Sequence, residues 1–297
     1  MIKLEGHSSF KVELKKEKAQ YYVIEKSSTL QEKDRLKKQL EKQKMFYEKN
    51  IFEDVKIPKI LSYKTTEYRF IGSMDFIKNS DNVIDFLNRN NLSTISIFPN
   101  KLIKIIETMI EKCSFNHIEP NILIEKIKSI QKNILANQLT RSFNLTPVFE
   151  MLNKKLETIC KVNIPIGLCH GDLTLSNILI GYNDFNIYLI DFLDSFVETP
   201  LFDILKVRQD TSYLWSLKLF EHKCDENKII IHLNYIDEII HTHFKKYQWY
   251  EELYDYFQII NLLRVFQYCK TESTANFLYK EINSLFISQI QIHNSLL

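Results

Sequence analysis

Residues 164–194, IPIGLCHGDLTLSNILIGYNDFNIYLIDFLD, hold an apolar approach, a polar loop, a hairpin and a second acidic step within one short segment. His170, Asp172 and Asn177 form the pattern H-x-D-x-x-x-x-N, and Asp191 closes an apolar strand fourteen residues after Asn177. Such a set suits phosphoryl transfer: one carboxylate accepts a hydroxyl proton, while an amide and a second carboxylate hold magnesium on a nucleotide's phosphates. Each residue alone could serve a turn, with Asp172 and Asn177 as caps and Asp191 as a strand-end acid. An apolar strand before each acidic step favours a site over scattered caps. The whole chain has only five glycines, and three of them, Gly167, Gly171 and Gly181, fall in this stretch, where backbone freedom is needed.

With 297 residues, 45% of them hydrophobic, the chain can bury a substantial core in one large domain or two lobes. Lys and Arg (39) nearly balance Asp and Glu (37), so no broad field steers the protein to nucleic acid or an anionic membrane. The five cysteines are scattered, odd in number and never spaced C-x-x-C, which argues against a disulfide framework or a structural zinc site. The start MIKLEGHSSF has no signal-like apolar region, and no apolar run approaches the roughly 18 residues a bilayer span needs. A cytoplasmic protein without membrane insertion is expected; oligomeric state is not legible.

Residues 1–27 read as three short strands, MIKLE, FKVEL and YYVIEK, separated by the loop Gly6, His7, Ser8, Ser9 and the turn KKEKAQ. That loop could lie over phosphates, with backbone N–H groups and the hydroxyls of Ser8 and Ser9 as donors, or be an ordinary hairpin turn. Lys26 ends the third strand, where an ammonium could reach the same phosphates. From Ser27 or Ser28 to about Asn50, helical spacing of Leu36, Leu40 and Phe46 or Tyr47 gives a narrow apolar stripe, with the lysines on the solvated face. Glu41 could turn inward to steady Lys26, or remain a surface partner of a neighbouring lysine. Two more strands, at 57–63 and 68–77, complete an expected five-stranded antiparallel sheet with the helix against it. The step from strand to linker at 74–77, with Asp75 and Ile77, is where an adenine could meet backbone groups. Beyond it, apolar residues at i, i+3, i+4 and i+7 make the chain mostly helical, with Pro99, Pro120 and Pro147 at helix starts. The expected class is α+β, divided into a sheet-bearing lobe over 1–77 and a mainly helical lobe over 78–297.

His170-Gly171-Asp172 through Asn177, then Ile190-Asp191-Phe192, and Asp203 twelve residues after Asp191, together resemble the aminoglycoside phosphotransferase and choline kinase-like family of small-molecule kinases, which share the protein-kinase fold. The resemblance implies a bilobal kinase-like fold and an ATP- and Mg2+-dependent phosphotransferase with a small-molecule hydroxyl as acceptor, GTP being an alternative donor. It implies that Asp172 takes the hydroxyl proton, with His170 beside it in the catalytic loop as a structural member rather than a proton carrier. Asn177 and Asp191 would hold magnesium, Lys26 would contact phosphates with Glu41 steadying it, and Asp203 would brace the loop. The chain departs from protein kinases in having Asp191-Phe192-Leu193 without Asp-Phe-Gly or Ala-Pro-Glu, which leaves no room for a regulated activation loop. Its phosphate loop also has one glycine instead of several.

The acceptor wall is expected after residue 195, where Arg208, Asp210 and Glu198 are candidate polar contacts. Aromatic residues there (Tyr213, Trp215, Tyr247, Trp249, Tyr250, Tyr254, Tyr256) could stack on a sugar or hold an amine, although helical spacing favours core packing. His241 and His243, two apart on one helix, point away from each other and make a poor metal pair. The acidic cluster an aminoglycoside pocket would need is absent, and the flavour of HGDLTLSNIL and IDFLDS is closer to kinases of surface-polysaccharide assembly. A nucleotide-binding scaffold that has kept the fold without the activity is the alternative from another class.

Overall fold

Short alternating strands at the start and 3.6-periodic helices after them set the order of elements in the computed structural model, which describes residues 2–4, 10–18, 21–182 and 184–295. The expected phosphate loop with Ser8 and Ser9 lies outside the described residues. Strands β1 (Ile2–Leu4), β2 (Lys11–Lys18) and β3 (Tyr21–Thr29) lead into helix α1 (Lys33–Glu48), followed by β4 (Val55–Lys56), β5 (Ile60–Thr65), β6 (Arg69–Asp75) and β7 (Ser80–Asn82). Next come α2 (Val83–Arg89), α3 (Leu92–Ile95), α4 (Phe98–Glu111), β8 (Ser114–Asn116), α5 (Pro120–Ala136), α6 (Thr146–Ile159) and β9 (Ile164–Ile166). After a 3₁₀ turn at Leu175–Asn177 lie β10 (Ile178–Gly181) and β11 (Ile187–Leu189), then α7 (Pro200–Thr211), α8 (Trp215–Lys218), α9 (Glu226–Phe244), α10 (Gln248–Phe266) and α11 (Glu272–Ser295). No helix among the described residues is long and apolar enough to cross a membrane.

The chain divides into two compact units. The first contains 1–108, 170–195 and 216–232. Its five-stranded sheet runs β1-β2-β3-β6-β5, antiparallel throughout, as expected from the sequence. Helix α1 packs on it through Leu36 and Leu40, one turn apart, against Phe10, Ile60, Phe70 and Met74. Gly72, opposite Lys26 in the ladder, makes room for this contact, since a β-carbon there would overlap the Leu40 side chain.

The helix starts later than its Ser-rich approach suggests. Ser27 and Ser28 pair with Ile71 and Phe70 as the continuation of β3, and α1 begins at Lys33 with no side-chain cap. Ladder pairing with a neighbouring strand outweighs the local capping preference of serine, worth only about 1 kcal/mol. A second, four-stranded sheet, β4-β11-β10-β7, joins the 178–189 hairpin to Ser80–Asn82. The polar residues Ser80 and Asp81, just past the expected strand-to-linker step, are thus strand, because β10 supplies them with backbone partners.

The second unit contains 109–169, 196–215 and 233–297. Helix α5 buries Leu123, Ile127, Ile130 and Ile134, one face of a 3.6 period, and α6 buries Leu152, Leu156 and Ile159. Pro120 and Pro147 stand in the first turns of these helices, where a missing N–H costs nothing. Every residue of α7 is buried, so this helix is enclosed by its neighbours rather than laid on a surface. A two-stranded ribbon, β8 with β9, delivers the chain toward residue 170.

Candidate active site

The loop after β9 turns on Gly171, which has φ +88. A β-carbon there would overlap the Leu193 carbonyl oxygen, so the left-handed backbone and the close approach both call for glycine. His170 has no exposed surface. Its Nε2 lies 2.9 Å from the Ile190 oxygen, its Nδ1 is 3.3 Å from the Asp172 N–H, and its ring packs 4.3 Å from Phe192. A carbonyl on one nitrogen and an N–H on the other fix the neutral, Nε2-protonated tautomer. Burial pushes this imidazole down to about 4. His170 is therefore a neutral strut in the loop.

Asp172, half-buried, is held by Asn177, whose Nδ2 donates to the Asp172 carbonyl at 2.8 Å and to its carboxylate at 3.2 Å. The 3₁₀ turn places the amide there: the Thr174 N–H donates to the Asp172 oxygen and the Asn177 N–H to the Thr174 oxygen. The Ile190 N–H donates in turn to the Asn177 oxygen, and the Leu193 N–H to the His170 oxygen. Two loops distant in sequence are zipped into one piece.

Asp191 sits at the end of that zipper with φ +62. A non-glycine residue in the left-handed region costs roughly 1–3 kcal/mol and is held only when its surroundings fix it. Its carboxylate pairs with the ammonium of Lys26, which is only 5% exposed. A buried ammonium needs such a counter-charge. Asp172, Asn177, Asp191 and Lys26 thus come together within the first unit, although Lys26 and Asp191 are 165 residues apart.

Glu41 does not join them. It is exposed and pairs with Lys37 one turn back, 3.6 Å away, because the buried face of α1 is set by Leu36, Gln39, Leu40, Gln43 and Phe46. The helix turns Lys42 and Lys38 toward the Asp191 loop instead: Lys42 Nζ donates to the Leu193 oxygen at 2.7 Å, and Lys38 lies 3.4 Å from Asp194. These two lysines, expected on the solvated face, share one stripe of α1 with Phe46, residues 38, 42 and 46 being one turn apart each time. Asp75 ends β6 with its N–H on the Lys59 oxygen and its carboxylate accepting from the Tyr21 hydroxyl at 3.0 Å. The Ile77 oxygen faces the Ser80 hydroxyl at 3.4 Å.

Asp203 lies in the second unit, in the first turn of α7 and fully buried. Of the expected acceptor contacts, Glu198 takes the Cys169 thiol at 3.1 Å and its own carbonyl accepts the Gly167 N–H. Asp210 has no exposed surface. Arg208 is bidentate to Asp237 (2.9 and 2.8 Å), donates to His241 Nδ1 and the Tyr250 hydroxyl, and lies 4.4 Å from the Tyr254 ring. Arg208 and Asp210 are interior residues and not part of an open acceptor wall; sequence proximity to the motif concealed how completely α7 is enclosed. Tyr213, Trp249, Tyr250 and Tyr254 are likewise core.

Among the described residues, no group of three or more His, Cys, Asp and Glu is arranged to hold a metal ion. Magnesium on a nucleotide asks for less, one or two hard oxygen ligands from the protein. The Asp191 carboxylate and the Asn177 side-chain oxygen are donors of that kind.

The fold is that of small-molecule kinases. Across residues 125–219, which include His170, Asp172, Asn177, Asp191 and Asp203, the chain matches the model of the phosphotransferase enzyme family. An aminoglycoside phosphotransferase, APH(4)-Ia, solved with AMP-PNP and hygromycin B, superposes with a TM-score of 0.60 at 10% identity, over 96% of this chain and 92% of that one. The ethanolamine kinase of Plasmodium vivax does so with 0.55 at 15% identity, over 95% and 80%. Spectinomycin phosphotransferase, solved with ADP and spectinomycin, gives 0.51 at 13% identity, over 95% and 88%. No curated protein matches in sequence.

Proposed function

We propose that the protein is an ATP-dependent phosphotransferase that moves the γ-phosphoryl group to a hydroxyl of a small molecule. The observation that carries this reading is the convergence of Asp172, Asn177, Asp191 and Lys26 in one unit. Asp172 is steadied by the Asn177 amide so that its carboxylate can orient the acceptor hydroxyl and take its proton as the oxygen–phosphorus bond forms. The bond from the γ-phosphorus to the bridging oxygen breaks and ADP leaves with that electron pair. Lys26 neutralises phosphate charge, and Asp191 with Asn177 would hold magnesium. When bound, the metal would draw charge from the phosphate oxygens. The proton stays on Asp172, since His170 is neutral and engaged at both nitrogens.

We assign the nucleotide to the sheet-bearing part, 1–77, and the acceptor to the remainder, in a cytoplasmic protein whose described cysteines are all free. The compounds named for the neighbours, hygromycin B, spectinomycin and ethanolamine, support an acceptor of sugar or amino-alcohol type. A surface-polysaccharide precursor is one such acceptor.

Asp172→Asn should lower transfer by about 10²–10⁴-fold, the range a lost general base costs, with thermal unfolding unchanged. Undiminished transfer in that variant would overturn the assignment. The outward position of Glu41 is the one observation that favours a scaffold without activity, since Lys26 then lacks its helix acid. That reading gains if Mg·ATP raises the melting temperature while a broad screen of hydroxyl acceptors shows no transfer.

A further inference from the structure

Three residues of α1, each one turn from the next, meet three consecutive residues of the Asp191 loop in reverse order. Lys38 faces Asp194 at 3.4 Å, Lys42 donates to the Leu193 oxygen at 2.7 Å, and the Phe46 ring lies 4.7 Å from Phe192. Spacing of i, i+4, i+8 puts all three on one stripe of the helix. The outermost pair is exposed and contributes little. The inner two are better placed: Phe46 and Phe192 are fully buried and the Lys42 bond is half-buried. The Leu193 carbonyl that Lys42 holds is also the atom that fills the β-carbon position of Gly171, and the Leu193 N–H is bonded to the His170 oxygen. The backbone of one residue, Leu193, therefore links helix, catalytic loop and Asp191 loop.

We infer that Lys42 is a positioning residue that locks α1 to the Asp191 loop, and that it does so in place of a helix acid reaching Lys26. The inference rests on the proposed phosphotransferase reading. Asp191 keeps its left-handed backbone because the next residues are held on both sides, by Phe192 against Phe46 and His170, and by Leu193 under Lys42. The Lys42 bond to the Leu193 oxygen bears on the nucleotide site through the Asp191 loop. Its loss should weaken that part of ATP binding that depends on magnesium and leave metal-free ATP binding alone.

The test compares the full chain with Lys42→Met, which keeps the stem and removes the donor, and with Lys42→Arg, which restores one. ATP binding is titrated with and without MgCl2, and amide exchange is followed over 190–195 and, as an internal control, over 69–75. Lys42→Met should lose roughly tenfold in the magnesium-dependent affinity and exchange roughly tenfold faster over 190–195, with 69–75 unmoved, while Lys42→Arg stays within about threefold of the parent. Unchanged affinity and exchange in Lys42→Met, or faster exchange over both segments alike, would overturn the inference. Absence of magnesium-dependent ATP binding in the parent chain would instead overturn the reading of function on which it rests.

Discussion

Two glycines show how differently the same substitution is expected to act. At Gly171 the obstacle to a β-carbon is a backbone carbonyl, that of Leu193, fixed by its own N–H on His170, and the backbone is left-handed as well. At Gly72 the obstacle is the end of the Leu40 side chain, which can change rotamer. Gly171→Ala should cost roughly 3 kcal/mol or more, combining overpacking with an unsuitable φ, and Gly72→Ala markedly less. Urea unfolding of the two variants decides it; equal losses would mean that the Leu193 carbonyl can move aside. Residues of this kind were partly legible in the sequence. The clustering of glycine around Asp172 was visible, and so were Asp172, Asn177 and Asp191 as a pattern. The left-handed backbone of Asp191 was not, because nothing in an aspartate announces φ +62. Nor was the choice between Glu41 and Lys42, adjacent residues whose roles depend on the rotation of one helix by about 100° per residue.

Between elements, the second unit is tied by a polar link rather than by apolar contact alone. Arg208 of α7 reaches Asp237 of α9 through two parallel bonds, and Thr211 adds a third contact to Asp237 at 2.7 Å. Side-chain exposures of 7% and 15% put this pair in the range where removal of one partner leaves an uncompensated buried charge. Arg208→Met should destabilise the protein by roughly 3–5 kcal/mol, and pairing it with Asp237→Leu should recover much of that, since the penalty comes from the orphaned carboxylate. Equal destabilisation by the single and double variants would assign the cost to lost packing on Tyr254 instead. At this scale the long elements were readable from periodicity: the five-stranded sheet, α1, and the helices that begin at prolines. The missed elements are the two- and three-residue strands β4, β7 and β8. So short a segment has no period to detect, and its conformation is decided by a partner far away in sequence.

For the molecule as a whole, both units hold a histidine in its neutral form. His170 is pushed down to about 4 by burial, and His241 to about 4 by burial and by the Arg208 charge beside its Nδ1. An unfolded chain binds these protons near pH 6.5. Between about 6.5 and 4 the unfolded state holds more protons, so stability is complete above that window and falls as the pH is lowered through it. His170 alone accounts for roughly 3 kcal/mol by pH 4. Urea midpoints measured from pH 7 down to 4.5 should drop steadily, with a shallower slope in His170→Gln; a flat profile would show that His170 takes up its proton in the folded state.

The pairing of Ser80–Asn82 with Ile178–Gly181, and of Lys26 with Asp191, also governs when the first unit can exist. Everything up to residue 108 leaves the ribosome well before 170–195 does, and at ordinary synthesis rates the gap is on the order of ten seconds. Throughout that interval β7 has no β10 to pair with and the Lys26 ammonium has no Asp191, while the whole of 109–169 intervenes. Contacts of such long sequence separation form late, because loop closure must precede any reward. The nascent N-terminal part therefore waits with β7 unpaired outside its five-stranded sheet and with an unmatched charge, and a fragment ending at residue 108 would be a substrate for chaperones and proteases rather than a small nucleotide-binding domain.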